Sequence, residues 1–382
     1  MRRFFLTWAF LLLGLGFTAH AQSNSIDPFV MPSTRFSALG GNHTAAGDSF
    51  HTIFTNPASF VDIEKEFSAS EITLTTYGPV LEIIDLLGSI DDLDSLDLSG
   101  IVNSSKGSGG LAFGLDLAGP ISIGWVGNGL GLGFFNRTRV DAAVSGTKIK
   151  PAVTADFFLV GGYSLRILNQ GNHVLDGGFL GKGFFRGRWM LETPIFDALS
   201  ILDDPMGKPF DTFFGIGLDL GFRYTLSNNL TFSLVCFDLF SPVLVTKYHS
   251  FFDFGSGADP VGESSYAQVK RRLDFGVKYT ISNSFIDRYF TGLVVMADYR
   301  DFLDLFSLVP RHPLLNIGIG AEITVLNVLS FRLGMTDALP SFGIGLDLSF
   351  LKLDMAIFGR ELGLDPGKHP TYCLGLGILF RY

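Results

Sequence analysis

Residues 214–224 read Phe-Gly-Ile-Gly-Leu-Asp-Leu-Gly-Phe-Arg-Tyr. Phe214, Ile216, Leu218, Leu220, Phe222 and Tyr224 share one parity, and Gly215, Gly217, Asp219, Gly221 and Arg223 share the other. Successive side chains of a strand point to opposite faces, so a period of two is the signature of a strand. Here one face is greasy and the other is glycine with lone charges. A soluble sheet also alternates, but it hides its large side chains in a core and turns its charges to water. Isolated charges among glycines suit an enclosed polar lumen, and the greasy face then meets lipid. The pattern recurs at 342–350, where Phe342, Ile344, Leu346, Leu348 and Phe350 oppose Gly343, Gly345, Asp347 and Ser349. It recurs again at 372–382, and in shorter form at 111–117, 275–281, 315–323, 331–336 and 353–357. The expected fold is all-β, a transmembrane antiparallel β-barrel.

Composition agrees. Of 382 residues, 47% are hydrophobic and 17% charged, with 46 glycines and 39 phenylalanines. An ordinary soluble domain carries roughly 25% charged residues. The chain is too apolar to be disordered. Its net charge of −9 lacks the basic face a nucleic-acid binder needs, so no nucleic-acid partner is expected. Two cysteines, Cys236 and Cys373, make no disulfide scaffold and are read as free thiols. Every backbone group in lipid must be paired, so only helices or closed barrels span it. The long uncharged stretch 117–136 is broken by Pro120 and by glycines, which excludes a spanning helix.

Residues 1–21 read as a signal peptide: Arg2 and Arg3, an apolar core from Phe4 to Phe17 too short to span a bilayer, then Ala19-His20-Ala21. Cleavage after Ala21 leaves a mature chain starting at Gln22. Residues 22–66 are not strand-like, and 67–382 carry the barrel pattern. Strands are expected near 67–77, 109–117, 120–127, 129–140, 153–166, 210–225, 229–239, 269–282, 288–300, 314–324, 327–336, 341–350, 352–359 and 371–382. That is about fourteen, an even number as single-chain barrels require. Residues 167–209 read as one long outer loop. Within it Leu191, Ile195, Leu199 and Leu202 form a helical stripe preceded by Arg186 and Arg188. The stripe is either a lid on the barrel rim or a groove capturing a greasy ligand whose carboxylate meets the two arginines. A similar stripe, Val80, Leu81, Ile84 and Leu87, leads into Asp91, Asp92, Asp94 and Asp97, read as a solvated acidic loop. The terminal aromatic Tyr382 resembles the signal read by barrel-assembly machinery.

The N-terminal segment contains Ser37-Ala38-Leu39-Gly40-Gly41, Ala45-Ala46-Gly47-Asp48 and Phe54-Thr55-Asn56-Pro57-Ala58-Ser59-Phe60. This run resembles the N-terminal hatch of the FadL-type outer-membrane transporters of long-chain fatty acids, which have fourteen strands and an Asn-Pro-Ala motif in the plug. Asn56, Pro57 and Ala58 match that motif. The runs Ala321-Glu322, Arg332-Leu333-Gly334, Gly343-Ile344-Gly345 and Glu361-Leu362-Gly363 resemble a divergent spirochaetal branch of the same superfamily. Pro57 fixes its own φ and biases Asn56 away from helix, freeing the Asn56 side chain to hold the plug to the wall.

The resemblance implies capture of ligand in the outer loops, passage into the lumen, movement of the hatch, and sideways release through a kink in the third strand. The expected third strand, 120–127, begins with Pro120 and holds Gly124 and Gly127, residue types that interrupt a ladder. Enzymatic signatures are missing: Gly127-x-Gly129-x-Gly131 lacks a strand–helix context, no G-x-S-x-G elbow occurs, and the seven histidines show no metal spacing. The expectation is a non-enzyme in the outer membrane, without cofactor or metal, carrying hydrophobic compounds such as long-chain fatty acids. Its partners are a hydrophobic small molecule, outer-membrane lipid and the barrel-assembly machinery. Two alternatives stand beside it: a barrel of the same superfamily acting as a secretion or assembly scaffold, and a diffusion porin.

Overall fold

The structure, a computed structural model, describes residues 25–78, 111–145, 147–194, 206–282 and 290–381. Fourteen antiparallel strands close into a barrel. They are β1 (Glu66–Tyr77), β2 (Leu111–Ala118 and Ile123–Gly127), β3 (Leu130–Ser145), β4 (Lys148–Gln170), β5 (His173–Met190), β6 (Phe210–Leu226) and β7 (Leu230–Phe240 and Pro242–Tyr248). The rest are β8 (Ser265–Val269 and Arg272–Ile281), β9 (Phe290–Tyr299), β10 (Ile317–Val325), β11 (Leu329–Thr336), β12 (Leu339–Asp347), β13 (Leu351–Glu361) and β14 (Pro370–Arg381). β14 pairs with β1, Leu376 opposite Leu74, so no edge is left open. Among the described residues no helix is long and apolar enough to cross a membrane.

The parity rule sorts the two faces as its chemistry demands. Phe214 and Ile216 are 63% and 55% exposed on the outer face, whereas Asp219 and Arg223 are 3% and 4% exposed inside. Exposed outer side chains continue around the wall, among them Leu132, Leu159, Phe232, Leu333, Phe342, Ile357 and Leu374. Leaving each in water forgoes roughly 1.5–3 kcal/mol of burial, a penalty that lipid removes.

Two expectations about strands are corrected. Residues 109–117 and 120–127 are the two arms of one strand, β2. Both arms pair with β1 and with β3, and residues 119–122 form an in-strand interruption around a cis Gly119–Pro120 bond. Gly-Pro reads as a turn locally, and only pairing with shared neighbours reveals one strand. The second correction is β5. It occupies 173–190, inside what the sequence presents as a long outer loop, and β4 and β5 join through a tight turn at 171–172. β5 hides because its code is mixed: Gly181, Gly183 and Gly187 interrupt Phe179 and Phe185 on the outer parity, while Leu180, Lys182, Phe184, Arg186 and Arg188 lie inside. The two errors cancel, so the count of fourteen stands.

One end of the barrel carries tight turns and the other the longer connections. At the turn end Asn128 and Gly129 have φ of 51° and 83°, the left-handed pair that suits a two-residue hairpin. The wall is uneven in height. β3 to β6 have 16, 23, 18 and 17 residues, while β9 to β14 have 8 to 12. The tall side therefore rises above the short side at the loop end.

Candidate functional site

The lumen is occupied by the chain's own N-terminal segment. Ser25–Ile26 add in parallel to Gln268–Val269 of β8, near the loop end. The chain then descends through α1 (Thr34–Ala38) and α2 (Thr52–Thr55) and a 3-10 turn (Pro57–Asp62), and enters β1 at the turn end. Most residues from Met31 to Phe60 are buried.

Glycines on the inner wall are the footprint of this segment. Gly178 of β5 and Gly221 of β6 face each other in register. A Cβ on Gly221 would stand 2.2 Å from Asn56 Oδ1, and one on Gly178 would stand 2.6 Å from the Pro57 carbonyl oxygen. Asn56 is fully buried in that slot. Its Oδ1 accepts from the Ala58 amide at 2.9 Å, and its Nδ2 donates to the Thr44 carbonyl at 2.9 Å and to the wall carbonyl of Phe222 at 3.4 Å. Gly320 and Gly334, also in register, make a second slot whose added Cβ atoms would meet the Leu39 backbone at 2.2 and 2.4 Å.

Charges complete the docking. Arg35 forks onto Glu322 of β10 at 2.9 and 2.7 Å and onto Asp48 at 2.8 and 3.1 Å. Glu322 also accepts from Arg332 at 2.5 Å, which reaches on to Asp354 at 2.5 Å. Burial opposes charge on Asp48, but the Arg35 guanidinium outweighs it and holds the carboxyl below its ordinary range. His43 Nδ1 lies 2.6 Å from Asp298 of β9, whose other oxygen accepts from the Thr44 amide and hydroxyl at 2.8 Å. His51 meets Glu71 of β1 at 2.5 Å, and Asp62 at the turn end bridges Arg166 and Arg223.

The remaining sequence-predicted residues fall as follows. Arg186 and Arg188 are wall residues of β5 facing the lumen, not loop residues beside a capture groove. Arg186 is buried, forked onto Asp156 at 2.6 and 3.0 Å, stacked 3.8 Å over the Phe29 ring and donating to the Asp27 carbonyl. Arg188 pairs with Asp211 at 2.9 Å. Both are committed to carboxylates of the wall, and Arg186 anchors the start of the N-terminal segment. Leu191 is half-buried just beyond β5. Ile195, Leu199, Leu202 and Tyr382, the stripe from Val80 to Leu87, the acidic run from Asp91 to Asp97 and the signal segment lie outside the described residues. Pro120 is exposed at the β2 interruption, Gly124 packs on the Phe50 ring, and Gly127 abuts the Glu64–Lys65 backbone at the turn end. Cys236 and Cys373 are free.

Above the segment, toward the loop end, is a cavity of 260 Å³ that sequence reasoning missed. Val30, Met31, Pro32 and Ser33 contribute to its lining, together with Arg137, Arg139, Arg272, Arg300 and Arg360 of the wall. Arg137 forks onto Asp116, Arg139 pairs with Asp141 at 2.7 Å, Arg272 with Asp274 at 3.1 Å, and Arg300 donates to Thr336 at 2.8 Å. Among the described residues Arg360 has no carboxylate partner; it lies 6.0 Å from the Tyr77 ring. A neighbouring cavity of 650 Å³ shares Arg300, Asp337 and Arg360. These arginines come from four different strand regions and form no motif, so no linear signal announces them.

The fold and its filled lumen define a class, the fourteen-stranded outer-membrane-type barrels with a chain segment inside. No protein-family model matches the sequence, and no curated protein matches it. Among solved structures, the Ralstonia pickettii toluene transporter TbuX is similar with a TM-score of 0.50 and 12% identity, covering 94% of this chain and 98% of that one. A Pseudomonas aeruginosa FadL homologue has a TM-score of 0.47 and 11% identity over 92% of this chain and 99% of that one. The Pseudomonas putida toluene transporter TodX has a TM-score of 0.41 and 10% identity over 94% and 99%. What this chain shares with TbuX at that identity is the fold. One of these structures, the Pseudomonas aeruginosa protein, is described as a FadL homologue, the type that the Asn56-Pro57-Ala58 run resembles.

Proposed function

We propose that this barrel carries hydrophobic compounds with an acidic head group, long-chain fatty acids being the model case, across an outer membrane, with residues 25–65 as a displaceable hatch. The observation that carries this reading is the five-arginine cavity lying directly on the N-terminal segment. A plain hydrocarbon offers a guanidinium nothing, whereas a carboxylate offers it a charge-assisted, forked hydrogen bond. Arg360, without a carboxylate of its own among the described residues, is the natural receiver. An acyl chain then gains about 0.8 kcal/mol for each methylene it buries against residues such as Met31. The likeness of fold to a toluene transporter supports a hydrophobic cargo. The segment's many polar contacts to the wall support a hatch that unfastens stepwise, because each contact is separately breakable.

Saturable binding of radiolabelled oleate to the purified protein tests this reading. Arg360→Ala is expected to weaken oleate binding strongly and to leave toluene binding unchanged. If the unaltered protein binds no oleate saturably, the reading is wrong. Fractionation is expected to place the protein in the outer membrane with Gln22 as its first residue. The scaffold alternative draws on exposed loop-end side chains, Phe252, Phe306 and Leu308, which form apolar surface. Oleate binding that survives their replacement by serine favours transport.

A further inference from the structure

A connection on a membrane barrel either stands clear in water or lies against the bilayer, and the side chains it turns outward tell which. On the short side two connections turn large apolar side chains outward. In 300–316, between β9 and β10, Phe306, Leu308, Val309 and Leu314 are exposed, Leu308 at 99%. In 362–369, between β13 and β14, Leu362 and Leu364 join them. Val309, Leu362 and Leu364 also border the 650 Å³ cavity, so they form the inner margin of the patch. Single exposed leucines are ordinary on a surface, but this many on two neighbouring connections make a patch.

Polar groups around these connections point the other way and are used up. Asp304 accepts from the Arg311 amide at 2.8 Å and from Lys270 at 3.2 Å. Glu361 accepts from the amides of Gly363, Gly367 and His369 at 2.8, 2.7 and 2.6 Å. Arg311 reaches Asp337 at 3.0 Å. The His312 amide donates to the Leu364 carbonyl at 2.8 Å, so the two connections are fastened to each other.

The patch continues the outer face of the wall. Phe275, exposed on the outer face of β8, packs edge-to-face with Phe302 at 5.3 Å, and Phe302 packs with Phe306 at 5.8 Å. The 3-10 turn Phe302–Phe306 thus lies over the outer face. Wall height calls for such an addition. β10, β11 and β12 hold 9, 8 and 9 residues. At roughly 3.3 Å per residue and a tilt of roughly 40° they rise about 20–23 Å, less than the apolar band of about 25 Å. The turn end of the same side adds the exposed Leu326 and Phe350. β4, with 23 residues, stands about twice as tall as that band by the same measure. At its loop end Lys148 and Lys150 pair with Glu192 at 2.8 and 2.7 Å, all three exposed.

We infer that the patch is a lipid contact. Connections 300–316 and 362–369 lie in the leaflet at the loop end, with Leu308 among acyl chains, while the rim of the tall side stands in water. The occupant is lipid and not protein. The patch is continuous with a face that lipid covers, and it completes a wall too short for the bilayer. Without it the bilayer would have to thin along this side. Phe306 and Leu308 then serve no protein scaffold, and the contact is independent of what the barrel carries.

The test places one tryptophan at a time in the full-length protein after Trp125→Phe and Trp189→Phe. The protein is held in vesicles of phosphatidylcholine with brominated acyl chains, which quench only what lies in lipid. Leu159→Trp, at an exposed position on the outer face of β4, marks the lipid belt. Leu308→Trp is expected to lose as much emission to the brominated chains as Leu159→Trp, and to be spared by acrylamide in the water. Lys150→Trp is expected to do the reverse. Acrylamide quenching of Leu308→Trp without quenching by lipid places the patch in water and overturns the inference. Shielding from both quenchers assigns the patch to a second copy or a protein partner, and overturns it as well. The unaltered protein gives an independent reading with a phosphatidylcholine that bears a diazirine on its acyl chain. Adducts are expected within 306–309 and at Leu159 but not at 148–150; adducts at Leu159 alone count against the lipid contact.

Discussion

The N-terminal segment touches two different walls. Against β2 to β8 it presents Phe29, Phe50, Ile53, Phe54 and Phe60, packed on Phe135, Phe158, Leu180, Phe184 and Phe213. Against β9 to β13 it presents Arg35, His43 and the backbone of residues 38–41, held by Glu322, Asp298, the Ser341 hydroxyl and paired glycines. Outside the Asn56–Pro57 seat on Gly178 and Gly221, the first contact is apolar and non-directional, so it seals against water. The second depends on charge and on distances of under 3 Å, so it is either made or broken. Ion pairs reach the tall side chiefly at the turn end, through Asp62. The segment is thus sealed on one side and latched on the other, as the proposed hatch role requires.

The largest expected effect comes from filling a backbone slot. Gly320→Val puts atoms where the Leu39 backbone lies, and single-channel conductance is expected to rise nearly to that of a protein lacking residues 22–60. Unchanged conductance would show that the segment does not seat as described. Next comes the latch. Glu322→Gln leaves Arg35 and Arg332 without their shared charge, and removing one partner of a buried ion pair costs about 3–5 kcal/mol. Frequent opening events in bilayer recordings are expected, with the barrel still resistant to unfolding in detergent.

On the sealing side, Phe60→Ala deletes a fully buried ring, a change worth roughly 3–5 kcal/mol in a rigid core. Because this contact is non-directional and the segment can settle, leakage to small ions is expected with fewer full openings than Glu322→Gln produces. Equal opening frequencies would erase the distinction between latch and seal. Asn56→Ala is expected to be milder, about 1 kcal/mol for hydrogen bonds lost largely within the segment.

The smallest effect is that of acid. Asp48 is held below its ordinary carboxylate range in the folded chain, so its share of stability is present above about pH 4 and is lost as pH falls through the lowered value. Opening frequency is therefore expected to stay flat from pH 7 to about pH 5 and to rise only in stronger acid, as a conductance titration would show. Asp48→Asn should flatten that rise.

How much of this was legible beforehand depends on the kind of signal. The outward greasy parity of β6, β12 and β14 reports directly on lipid, because each residue answers to its own face. β5 escapes because glycines interrupt the large residues of its outer face and large or charged residues stand on its inner one, so neither parity is uniformly greasy. The β2 arms were split because Gly119-Pro120 carries strong local turn chemistry, and only shared neighbours join the arms. Asn56, Pro57 and Ala58 were found through resemblance, but their seat on Gly178 and Gly221 was not. Proximity to an apolar stripe points to Arg186 and Arg188 as ligand cations, whereas the fold gives both of them wall carboxylates.

By itself the sequence determined that this chain is a membrane barrel of about fourteen strands with a non-strand N-terminal segment. Alternation is a local property with a period of two residues, and it survives without knowledge of neighbours. Only the tertiary structure decided that the lumen glycines are the imprint of that segment and that arginines scattered from 137 to 360 converge above it. Each of these depends on which strands are neighbours and in what register. Closure of the barrel sets both, by pairing residues far apart in the chain.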